Sequence, residues 1–523
     1  MPDATQMESS SDELGPVGAL TRVSLDLRGV RPSPAEIEAA EAEGNDPAPW
    51  SARVDTYLHD PRFGGRVRDL FAGIYLTRQD AYPLEAADFG LTDPAAFVAA
   101  VGDEPLRVLS EIAEADLPYT DLVVADWTMA NETLAAVAPV DYPDGARGWV
   151  RVRYTDERPS AGVLATNGLW WHYTTNRSNL NRGRANAISR ILLCQDYLSR
   201  TLEFDRNVDL LDAASLADAL HTNPGCVACH STLDPLAAYL FGFYPSGRDA
   251  PADQATYHPD RELFWQTTSG VAPAYHGAPG DTLDDLGRQI AADPRLTGCV
   301  TEQVVGLLWG REPGVDDTAA LVAHREAFLA GGTRLRTLFA SVAEDAAYRT
   351  GVGVDGAFAA KMISVEQLGT TLEDLTGFRF THLGYDLLGS DTYGVRTLAG
   401  GADGVYSTRP APVPTATSVL VQARLTQAAV RYVAARDHAD PASARLFTDI
   451  DFTETPATNV RPMVAQLQAL RLRLHGARVE ARGPEVADDL ALWSDLYALD
   501  RDPEAAWAGV LSVLLRDPAF LFY

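Results

Sequence analysis

Lysine is almost missing from this sequence: Lys361 is the one example in 523 residues, and arginine supplies the rest of the 43 basic side chains. Set against 72 acidic residues, they leave a formal net charge of −29. A surface of that sign repels phosphate backbones and anionic lipid headgroups, so nucleic acid is excluded as a partner. The shortage of lysine reads as coding bias and a salt-tolerant surface, not as a site. No apolar run approaches the ~20 residues that span a bilayer, and no membrane span is expected. The first eighteen residues also lack the basic start and apolar middle of a signal peptide. The run Ser9-Ser10-Ser11-Asp12-Glu13 suits instead the tether of a mature secreted protein or lipoprotein whose signal is not in this chain.

Strand signals are scarce as well, which leaves a mainly α chain built as several helical modules. Hydrophobic residues at 46% and charged residues at 22% suit ordinary globular packing. The expected organisation is a disordered acidic tether over 1–19, an N-terminal helical module over 20–160, a central module over 161–350 and a C-terminal helical module over 351–523. The boundaries rest on the Pro-, Asp- and Gly-rich stretch 138–160 and the glycine run Gly351–Gly356. Ser33-Pro34-Ala35-Glu36 is a helix start with a capping box. Asp60-Pro61, Asp293-Pro294 and Asp517-Pro518 also mark helix starts, since Asp caps and Pro suits the first turn. Residues 119–137 read as one helix with Leu122, Val123, Trp127 and Leu134 inward. Another is expected from Asn181 through Cys194 to Leu198.

Two of the four cysteines fall in Cys226-Val227-Ala228-Cys229-His230. Cys-x-x-Cys-His is the attachment signature of c-type haem. One turn of chain sets both sulfurs for the two vinyl groups of a porphyrin, and the adjacent imidazole falls beneath the iron. A dithiol–disulfide pair, a partial zinc site or an accidental pattern are the alternatives. Cys194 and Cys299 then remain. Covalent haem attachment in bacteria takes place outside the cytoplasm, where disulfides persist, so these two are expected to pair around the motif. Two buried free thiols are the alternative there.

Arg182 and Arg184 form the locally basic spot near the motif and are candidates for the haem propionates; a solvated helix start is the plainer reading. The aromatic run Tyr239, Phe241, Phe243 and Tyr244 suits a pocket wall or ordinary core. No methionine lies between His230 and Met362, so the usual downstream Met ligand of a small cytochrome is missing. His172, His276 and Met129 are the leading candidates for the sixth iron position, with His258 and Met362 behind them. Each is equally at home as a structural residue.

With these residues in view, the chain resembles the planctomycete-type cytochrome c proteins, large exported bacterial proteins built of helical modules. The first module matches in Val23-Ser24-Leu25-Asp26-Leu27-Arg28-Gly29, Pro32-Ser33-Pro34-Ala35-Glu36 and Asp60-Pro61-Arg62-Phe63. The middle matches in Arg184-Ala185 through Leu193-Cys194, in Cys226–His230 with Asp234-Pro235-Leu236, and in Cys299 through Gly310-Arg311-Glu312. Residues 20–350 carry the likeness, the last third only faintly, and Ala237-Ala238 departs from the glycine usual after Pro-Leu. The resemblance implies a cytochrome c-like haem module in the middle of the chain and an extracytoplasmic place: periplasm, outer surface or secreted, with lipid anchoring an option. The expected function is electron transfer through one covalent haem c, with His230 as axial ligand and a redox partner protein. A haem enzyme with an open distal site, or an electron acceptor for a partner dehydrogenase, is the first alternative. An interaction or scaffold protein with structural haem is the second.

Overall fold

The computed structural model describes residues 14–44, 46–199, 212–350, 360–403, 407, 409–457 and 460–523. The fold is mainly α, as expected. Strands among the described residues form three two-stranded antiparallel ladders: 128–130 with 150–152, 274–275 with 278–279, and 381–382 with 385–386. Residues 1–13 of the expected tether and the glycine run 351–356 lie outside the described residues. From Pro16 to Arg28 the chain is already helical.

Two compact units divide the chain. The first takes Met1–Arg66, Leu308–Gly310 and Ala340–Tyr523; the second takes Val67–Leu307 and Arg311–Phe339.

In the first unit, helices Ala416–Ala439, Val460–His475, Pro484–Asp500 and Pro503–Leu514 bury one core in which Trp493 and Trp507 are fully enclosed. Leu25, from the helix Pro16–Arg28, joins that core. Ser33 and Glu36 form the capping box read from sequence, with the Ser33 N–H donating to Glu36 at 2.7 Å. The single lysine is a structural group. Lys361 Nζ donates to the fully buried Asp26 carboxylate at 2.6 Å, which also accepts from the Tyr348 and Tyr523 hydroxyls at 2.9 Å each. A buried carboxylate stands only when paired and hydrogen-bonded, and this one meets both conditions.

The second unit is organised around the long helix Pro94–Glu114. Its Glu104 is completely buried and accepts from Thr128 Oγ1 at 3.2 Å, the Gly168 N–H at 3.0 Å and the Tyr154 hydroxyl. Burial pushes its carboxyl up despite those three donors. Gly168 is required there, because a Cβ would overlap the carbonyl oxygen of Val101. Tyr82, Phe97 and Trp171 pack beside it in a small aromatic core.

Two helix expectations are corrected. Residues 119–137 are a short helix Asp121–Val124, a strand Thr128–Ala130 and a short helix Glu132–Ala135. The strand exists because Met129 lies opposite Arg151, so a pairing across the chain overrides the local period. The helix from Asn181 ends at Leu193, because Cys194 turns into the left-handed region with φ of 53°. The Pro- and Gly-rich stretch 138–160 supplies the partner strand 150–152 within the second unit.

Candidate functional site

The motif begins a helix, Pro224–Ala238, and the sequence shows why. Pro224 takes the first turn, and the Asn223 side chain caps it by accepting from the Gly225 and Cys226 N–H groups. Cys226, Cys229 and His230 stand at i, i+3 and i+4, so one face of the helix carries all three. Cys226 is half-buried and Cys229 buried; neither is in a disulfide.

His230 is held from behind. Its Nδ1 lies 3.0 Å from Asp234 Oδ1, one turn further along. Asp234 is gripped in turn by Arg182, Nε to Oδ1 at 2.6 Å and Nη2 to Oδ2 at 3.1 Å. Burial alone raises the Asp234 carboxyl, but the hydrogen bonds from His230 and Arg182 outweigh it and hold the group below its usual range. An imidazole that donates from Nδ1 to a carboxylate carries its lone pair on Nε2, the arrangement that fixes tautomer and ring orientation in metal-ligating histidines.

The helix Arg182–Leu193 packs along the motif helix, which is how Arg182 reaches Asp234. Arg184 goes elsewhere. Its guanidinium is buried and donates to the carbonyls of Tyr173, Phe243 and Trp170 and to Asn181 Oδ1. Burial pushes it down to about 9. Of the two arginines, only Arg182 stands beside the motif.

The candidates for the sixth position are scattered. Met129 is buried in the strand Thr128–Ala130. His276 sits exposed at the turn joining 274–275 to 278–279, a hairpin whose first strand packs on the motif helix. His172 is pinned by Gln79, with Nδ1 2.8 Å from Oε1, and its ring meets Tyr173 edge-on. Among the described residues no hydrogen bond or ring contact joins these three to His230.

Burial and the nearby Arg190 push His172 down to about 4 from its ordinary 6.5. Between those values the unfolded chain binds a proton that the folded one refuses. Stability therefore falls as pH drops from about 6.5 to about 4, by roughly 1.4 kcal/mol per unit. His172→Gln keeps a polar partner for Gln79 and flattens that slope, a difference that urea unfolding at pH 7 and pH 5 measures.

The remaining two cysteines are bridged: Cys194 and Cys299 form a disulfide with Cα atoms 5.2 Å apart. Among the described residues no group of three or more His, Cys, Asp or Glu side chains is arranged to hold a metal ion.

Sequence reasoning quoted Asp234 only within the Asp234-Pro235-Leu236 match and gave it no role at the site. Its signal was present, an acidic residue four places after His230 on one helix, where the two side chains meet. No protein-family model, no curated protein and no solved structure matches the chain.

Proposed function

We propose that Cys226 and Cys229 carry one covalent haem c with His230 as its axial ligand, and that the chain is an exported bacterial electron-transfer protein of the planctomycete-type cytochrome c kind. The observation that carries this reading is the His230–Asp234–Arg182 chain of hydrogen bonds. It presents Nε2 on the same helix face as two unbridged thiols, a donor set that fits a c-type haem. The Cys194–Cys299 bridge supports an oxidising compartment, where covalent haem attachment also takes place. Haem bound there supplies one-electron redox chemistry at a potential set by its axial ligands and burial. The protein's own part is to direct the His230 Nδ1–H onto the Asp234 carboxylate and to keep that carboxylate oriented through Arg182. A redox partner protein delivers or removes the electron. No helix among the described residues is long and apolar enough to cross a membrane.

One observation favours a second reading, a haem enzyme or dehydrogenase acceptor with an open distal position. His172 and Met129, two of the candidate sixth ligands, are committed to packing of their own. Carbon monoxide and cyanide separate the two. A six-coordinate spectrum that neither ligand alters, with a reversible one-electron titration, is the outcome for electron transfer. Ready binding of either ligand overturns that role in favour of the open site.

A further inference from the structure

Arg184 borders a second feature of the same unit, a cavity of about 230 Å³ walled by Trp170, Trp171, Phe243 and Tyr244. The cavity contains two guanidinium groups with different fates. Arg261 is neutralised by Asp249 through two bonds of 2.7 Å. Arg184, only 4% exposed, has no carboxylate within 4 Å among the described residues. Its four acceptors are neutral and leave one Nη2 hydrogen without a partner among those residues. A buried cation without a counter-ion is costly, and a carboxylate entering the cavity would relieve that cost. The other acid on the rim, Asp253, is turned to the Ala250 N–H of its own helix start, 3.1 Å away. Thr175 also lines the cavity; its hydroxyl accepts from the Asn181 N–H at 2.8 Å and keeps its own hydrogen to donate.

Size and wall chemistry narrow the ligand. A cavity of ~150 Å³ is known to take benzene, so the space here suits one flat ring and a carboxylate, below the ~300 Å³ at which drug-sized pockets begin. We infer that this cavity binds a small organic carboxylate with a flat apolar body, its charge on Arg184 and its body against Trp170, Trp171 and Phe243. The inference is independent of the haem reading and survives or fails apart from it.

Calorimetric titration of the purified full-length protein with sodium benzoate tests it. The expected result is saturable binding of one benzoate, with the uncharged isostere benzamide weaker by about tenfold or more, the worth of one charge-assisted hydrogen bond. Inorganic phosphate should fail to displace benzoate, because the aromatic walls offer it nothing. Thr174→Trp, a substitution at an exposed residue of the cavity mouth, should abolish binding while leaving the thermal unfolding midpoint unchanged. Arg184→Gln, where it folds, should reduce benzoate to the affinity of benzamide. Equal binding of benzoate and benzamide, displacement by phosphate, binding unaltered by Thr174→Trp, or no benzoate binding at all would each overturn the assignment.

Discussion

Replacing Cys194 and Cys299 together by alanine is expected to lower the unfolding free energy by about 4–5 kcal/mol. The bridge joins residues 105 apart, and the segment it closes contains the whole of Cys226–His230. On the chain-entropy account, most of the stabilisation comes from the unfolded state, which loses the freedom of a long loop. Two packing features add to it. Cys194 is the left-handed end of the helix that carries Arg182, and Cys299 is 3% exposed, so cutting the bridge also frees the helix that supports Asp234. Denaturant unfolding with and without dithiothreitol checks the prediction. The reductant should shift the parent protein by nearly the full amount and the alanine variant hardly at all.

Asp234→Ala is expected to cost about 2–3 kcal/mol, because it strands Arg182 and leaves His230 Nδ1 without an acceptor in a mostly buried position. Asp234→Asn, which retains one acceptor oxygen, should cost less. The two variants also differ from the parent in acid. The folded-state pKa of Asp234 is depressed, so its contribution is present above the ordinary carboxylate value of 3.8 and disappears as pH falls through the lower folded value. Both substitutions should flatten that acid limb. In the haem-loaded protein, Asp234→Ala should raise the reduction potential, since a carboxylate on Nδ1 makes the imidazole a stronger donor to ferric iron. A merely structural Asp234 would alter stability and leave the potential in place.

Much of the helical layout was legible because its signals are local. Ser33 to Glu36 announces a cap in four residues, and the Asp-Pro pairs at 293 and 517 stand where helices begin. The candidate site was half legible for the same reason. Cys226, Cys229 and His230 lie within five residues, and the Cys194–Cys299 pair followed from what was left over. Arg182 was singled out, but as a group for propionates; its partner Asp234 sits 52 residues away in sequence and became visible only when two helices packed. The strand Thr128–Ala130 was hidden likewise, since its pairing with 150–152 depends on a stretch whose composition resembles a linker. The Arg184 cavity is the extreme case. Its walls come from residues 83 to 261, and no window of the sequence contains a pattern for it.

Covalent attachment of haem through Cys226 and Cys229 is the proposal on which the electron-transfer reading rests. An alkaline pyridine spectrum tests it most directly, taken on the full chain expressed with a haem c maturation system and then denatured and extracted with acidified acetone. The expected result is one haem c per chain that stays with the polypeptide, and none in a Cys226→Ala, Cys229→Ala variant. A denatured protein free of haem, or a variant that retains as much as the parent, would contradict it.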